Sequence, residues 1–211
     1  MNSKNIFRLW PFAFFLFLIY LSGCLNTNDD DIINPITGEG PVVEMPIVVD
    51  SFNQVNHVAV GNLSILISDT FSVVLKAQQN ILDLMDWTVE DETFYWGYKV
   101  PVNIIESEEI LCEINLPVEI ESVTLTGIGV IKIEGPKQDI VYLEVIGLGN
   151  INAFGLEVDK AEVMLSGSGN IQVKVIDEIT GVLSGNGNVY YRGDPVLNVY
   201  ISGNGTVIKD N

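Results

Sequence analysis

Histidine is nearly absent: His57 is the only one in 211 residues, beside two cysteines and ten lysines and arginines. A zinc site draws several His or Cys ligands, so this complement argues against one. Nucleophilic catalysis needs a base that a third group orients, and one histidine gives it little to build on. His57 reads as a strand or edge residue, and Cys112 as a small buried hydrophobe in its strand. Basic residues are scarce against 28 acids, giving a formal charge of −18. Nucleic acid and anionic lipid headgroups are poor partners for such a body. Long apolar runs are missing too. Leu9 to Leu21 is apolar over 13 residues, short of the roughly 20 that span a bilayer as a helix.

That run is nevertheless informative. Lys4 and Arg8 precede it, and Leu21-Ser22-Gly23-Cys24 follows it, a series that resembles the lipobox of bacterial lipoproteins. The resemblance implies a signal peptide over 1–23 and a mature chain starting at a lipidated Cys24, held on a membrane by its acyl chains. Loss of Lys4 and Arg8 takes the formal charge from −18 to −20. With Cys24 acylated, Cys112 has no disulfide partner, so core burial must supply the stability. Residues 24–49 read as a flexible tether, because Pro35, Gly38, Gly40, Pro41 and Pro46 oppose helix and central strand alike. Within it, Asp29, Asp30 and Asp31 resemble the export signal of lipoproteins that face the medium; a solvated spacer is the other reading.

The most informative feature lies in residues 50–211. Ser166–Asn170, Ser184–Asn188 and Ser202–Thr206 read SGSGN, SGNGN and SGNGT, starting 18 residues apart. Ile146–Asn150 (IGLGN) and Thr126–Val130 (TGIGV) continue the series upstream at a spacing of 20. A unit this short cannot bury its own apolar face and must stack on the next.

Aligned on the glycines, the units form columns. Leu125, Val145, Leu165, Leu183 and Ile201 make one; Val123, Leu143, Val163, Gly181 and Val199 another; Ile131, Ile151, Ile171, Val189 and Val207 a third. Polar or mixed residues alternate with them, so the period is two and the phase repeats, which predicts parallel strands in register. The turns carry Gly147, Gly167, Gly185 and Gly203; Gly167, Gly185 and Gly203, with Gly169, Gly187 and Gly205, can adopt positive φ at no steric cost. Asn150, Asn170 and Asn188 share a column, and their side chains are placed to form a ladder at the strand spacing. The expected fold is all-β: a single-stranded parallel β-helix, or solenoid, with about 18–20 residues per C-terminal coil. Lys209-Asp210-Asn211 is a polar end suited to capping it. The earlier half is less regular and reads as imperfect first coils with one or two longer loops.

Phe52 to Val60, the strand ending at Leu116-Pro117, and the serial G-x-G-N-[IV] turns resemble the auto-transporter adhesin family, head GIN domain, from about Asp50 to Lys209. The resemblance implies a right-handed coil on a secreted or lipid-anchored protein of diderm bacteria, adhesin-like and without an established ligand. The family more often has Asp where Asn170 and Asn188 stand, which argues against a metal role for that column.

Three chemistries compete with simple turns. Calcium rolls also repeat at this length, but Gln172 and Tyr190 occupy the position of their ligating Asp. Polysaccharide-cleaving β-helices need paired carboxylates, which Asp139, Asp159 and Asp177 offer in one turn column without regular basic neighbours. The best binding candidates are Trp87, Tyr95, Trp96 and Tyr98, whose rings could stack on sugar or dock a protein. The resulting expectation is a non-enzymatic, lipid-anchored module of the outer membrane, at the cell surface or on its periplasmic face. It needs no cofactor, metal or nucleic acid, and binds a surface glycan or protein. A structural assembly module is the main alternative, and a polysaccharide-active enzyme the lesser one.

Overall fold

The structure, a computed structural model, describes residues 35–210. The segment 1–23 read as a signal peptide, Cys24 and Asp29–Asp31 lie outside the described residues. Among the described residues the chain is all-β, as the alternation predicts, with a single helical turn, α1 (Gln79–Leu82). In order the strands are β1 (Pro35–Thr37), β2 (Val42–Ile47), β3 (Gln54–His57), β4 (Asn62–Ile67), β5 (Ser72–Gln78), β6 (Met85–Glu90), β7 (Thr93–Tyr98), β8 (Asn103–Glu106) and β9 (Leu111–Leu116). There follow β10 (Ser122–Leu125), β11 (Ile128–Glu134), β12 (Gln138–Val145), β13 (Leu148–Leu165), β14 (Ser168–Leu183), β15 (Val189–Arg192), β16 (Val196–Ile201) and β17 (Val207–Lys209). All but β1 and β8, which pair with each other, belong to one curled open sheet.

The glycine units stack in parallel and in register. β10, β12, β13, β14 and β16 follow one another on one side of the turns. β11, β13, β14, β15 and β17 do so on the other. The columns read from the sequence coincide with the ladder: Leu125 pairs with Val145, Val145 with Leu165, Leu165 with Leu183 and Leu183 with Ile201. All but the last are essentially inaccessible. Burial of each such aliphatic contributes about 1.5–3 kcal/mol, so the columns carry the fold.

The first half departs from simple winding. β3 and β4 stack against β10 and β11, with Val55 opposite Val123 and Leu63 opposite Ile131. Beneath them lie β7 and β9, later in the chain. The coil built from 93–116 therefore precedes the coil built from 54–67 in space, reversing the order expected from the sequence. The intervening chain closes the end with antiparallel strands: β6 on β7, and β5 on both β9 and β2. Residues 35–47, read as tether, contain two strands. β2 pairs on one side only, and an edge strand tolerates Pro46 because its missing N–H faces no partner. Edge strands β2 and β6 carry Glu44, Asp86 and Glu90, charges that discourage further pairing.

Candidate functional site on the glycine turns

The turns owe their glycines to close approach between coils more than to φ. A side chain at Gly147 would collide with the carbonyl oxygens of Gly127 and Thr126; at Gly167, with those of Gly147 and Ile146. Gly185 and Gly203 meet the turn before them in the same way. Of the glycines expected to allow positive φ, Gly169 adopts it at 157°, while Gly167, Gly185, Gly187, Gly203 and Gly205 do not; Gly149 has φ 147°. The glycines thus let each corner sit directly on the last.

Beside them runs the asparagine ladder. The Asn170 N–H and Nδ2 both donate to Asn150 Oδ1, at 2.9 and 3.0 Å. The Asn188 N–H donates to Asn170 Oδ1 at 3.1 Å, and the Thr206 N–H and Oγ1 to Asn188 Oδ1 at 3.0 and 2.8 Å. Upstream, Asn62 plays the same part, accepting from the Val130 N–H at 3.0 Å. Asn62 was missed from the sequence because its coil carries no G-x-G signature.

These turns present an outward face with a property that no motif announces. The aligned segments 56–62, 126–130, 146–150, 166–170, 184–188 and 202–206 contain no Asp, Glu, Lys or Arg, in a chain with 38 of them. His57, the one titratable group in these segments besides backbone, is buried. The outward positions are apolar at one end and polar at the other. Val58, Ile128, Val130, Ile146 and Leu148 are 41–54% exposed. Val60 bridges to Ile128, and Ile128 pairs with Leu148. From Ser168 onward the same positions hold Ser and Asn, with Asn204 Nδ2 donating to Asn186 Oδ1 at 2.7 Å. The aligned absence of charge is the signal that finds this face.

The aromatic candidates do not form a common surface. Trp96 is wholly buried, stacked on His57 with ring centroids 4.7 Å apart. Trp87 lies opposite it across the β6–β7 pair, half-buried, and lines a shallow cleft with Val49 and Val89. Tyr98 donates its hydroxyl to the Val60 carbonyl at 2.8 Å, beneath the apolar end of the turn face. Tyr95 alone points outward, at 36% exposure. Strand alternation explains the split, since 94, 96 and 98 share the inward side.

His57 is not an edge residue. It sits between Trp96 and Leu125 in the core column, and its Nε2–H donates to the Gly61 carbonyl at 2.7 Å. Burial lowers its pKa to about 4, partly offset by the Gly61 bond. Cys112 is buried, as expected, and burial pushes its thiol well above the ordinary range. Of the acid column, Asp159 is ion-paired with Lys137 at 2.5 Å. Burial raises the Glu144 carboxyl, opposed by bonds from Tyr142 and Thr124. Lys209 pairs with Asp194, and Arg192 with Asp210, at the last coil.

Parallel units stacked in register, with an uncharged outer corner, define an all-β protein built on a curled open sheet. Residues 97–195 match the family described as "Putative auto-transporter adhesin, head GIN domain". The match is narrower than the resemblance read from the sequence, because β3 and β4 lie before it. The crystal structure of a putative adhesin from Bacteroides fragilis superposes with a TM-score of 0.55 at 17% identity, covering 83% of this chain and all of that one. A putative adhesin from Parabacteroides merdae gives 0.42 at 16%, covering 84% and 99%. No curated protein matches the sequence.

Proposed function

We propose that this chain is a non-catalytic binding module of the cell envelope, anchored through lipid on Cys24 and carried to the outer surface with Asp29–Asp31 as part of the export signal. On this reading residues 120–209 wind as a right-handed parallel β-helix, and the rigid stack holds one face toward a partner on a surface, glycan or protein. The adhesin-like family match over 97–195 supports the surface location.

The observation that carries the reading is the uncharged turn face with its exposed aliphatic end. A stack needs its inward columns to fold; it does not need Ile128, Ile146 and Leu148 left half in water. Contiguous exposed apolar side chains on a protein otherwise so acidic mark a contact surface. The test is binding of labelled protein to intact cells and envelope fragments. Wild type should bind, and Ile128→Asp and Leu148→Asp, both at exposed positions, should bind at least tenfold less while melting like wild type. Equal binding by all three would remove the face from the function.

A further inference from the structure

We infer that the occupant of the apolar end of the turn face is the same face of a second copy of this chain. This rests on the reading above and names its partner. Two bodies of formal charge −18 repel wherever their acids face each other. The turn corner is a strip running the length of the glycine coils where no acid stands, so like-charged copies meet there with least opposition. A basic partner would be drawn instead to the acidic faces.

The shape of the face also matches itself. Along each coil aliphatic side chains alternate with positions that have none: Ile146, Gly147, Leu148, Gly149, with Ile128 between Gly127 and Gly129 on the coil beside it. Knobs therefore recur at every second residue around the corner, separated by glycines, and stand about 4.8 Å apart from coil to coil. A surface of evenly spaced knobs and gaps fits another of identical period, and a second copy has that period by construction. The backbone beneath is held by the Val130 N–H on Asn62 Oδ1, by the Asn170 N–H on Asn150 Oδ1 and by the Tyr98 hydroxyl on the Val60 carbonyl.

A two-fold axis through this patch closes the contact, because each copy offers the same residues to the other. The patch spans only three coils, so the pairing is of the small, weak class. Many copies held on one surface would add such contacts through their effective concentration.

The experiment is sedimentation velocity of the full chain over a concentration series, with Leu148→Asp, Leu148→Lys and their equimolar mixture. Wild type should show concentration-dependent dimerisation. Each variant alone should lose it by about tenfold or more, and the mixture should regain it, since a two-fold contact sets Asp and Lys near each other. Wild type that stays monomeric up to its solubility limit overturns the inference, as does a Leu148→Asp protein that dimerises normally. Cell binding separates this result from the broader reading. If Leu148→Asp loses binding to cells lacking the protein while wild type is monomeric, the face serves another partner and only the homotypic contact falls. If neither self-association nor cell binding responds, both fall.

Discussion

The imidazole of His57 lies on the indole of Trp96, centroids 4.7 Å apart and planes 12° from parallel, with both side chains inaccessible to solvent. The two residues begin the core column that continues as Leu125, Val145, Leu165 and Leu183. His57 Nδ1 and Trp96 Nε1 have no hydrogen-bond partner among the described residues. Polar rings have thus been placed where the later coils put leucine and valine.

This position makes the protein sensitive to acid. Unfolded, His57 takes a proton as pH falls below about 6.5; folded, burial delays that to about 4. The unfolded state therefore binds more protons between those values, and stability declines as pH falls through the window from 6.5 to 4. By pH 4.5 the loss attributable to this group is about 2.5 kcal/mol. Carboxylates also titrate there, so the measurement is a difference: urea unfolding of wild type and His57→Phe at pH 7.5 and pH 4.5. The variant should gain on wild type by about that amount at the lower pH. A difference that is the same at both pH values would show that His57 does not carry the effect.

The same column shows what sequence can reveal and where it stops. From Leu125 to Ile201 the members follow one another at a spacing of 20 and then 18 residues, because each coil repeats the one before. Trp96 and His57 belong to that column but stand in coils of a different length, stacked in an order opposite to that of the chain. No local pattern announces that β3 will pair with β10 across the whole of 58–121; that pairing is set by which apolar edges remain uncovered once β5, β6 and β9 have closed the end. Asn62 is hidden for the same reason. The turn face was legible in the sequence, but as a missing residue class across aligned segments rather than as a motif.

The glycine corners predict a sharp contrast. An alanine at Gly167 would place its methyl on the carbonyls of Gly147 and Ile146, which are backbone and fixed by the stack. Overpacking of that kind costs about 3 kcal/mol or more. Gly97 is the control, since an added Cβ there meets nothing nearer than the Val58 Cβ at 3.6 Å, an ordinary contact. Thermal melts should therefore separate Gly167→Ala, strongly lowered, from Gly97→Ala, within about 0.5 kcal/mol of wild type. Similar melting of the two would mean that the corners are looser than the packing indicates.

The asparagine ladder predicts an order among substitutions. Asn170→Ala removes the acceptor of the Asn188 N–H and the donor to Asn150 Oδ1. Leaving a part-buried N–H without its partner costs about 1–3 kcal/mol. Asn170→Asp keeps the acceptor but sets a carboxylate oxygen against Asn150 Oδ1, so it should fall between alanine and wild type. Val130 interrupts the ladder: its N–H donates to Asn62 Oδ1, but its side chain offers no acceptor to the next unit. Val130→Asn should complete it and raise stability by about 1 kcal/mol. Chemical denaturation of the three variants tests the order, and an aspartate as damaging as alanine would contradict it.

Trp96 and Tyr95 are neighbours in sequence with opposite predicted roles. Trp96 is buried against His57, and Phe94, on the same side of β7, stacks on Phe52 at 5.0 Å, so the inward side of β7 is core. Trp96→Ala should cost about 3–5 kcal/mol through the cavity it opens, and any loss of binding it causes would follow from lost folding. Tyr95 has its ring on the outer side at 36% exposure, and Tyr95→Ala should leave stability within about 0.5 kcal/mol. Denaturation midpoints read beside cell binding distinguish the two effects. If Trp96→Ala kept its midpoint and lost binding, the indole would be a ligand contact and its place in the core would be wrong.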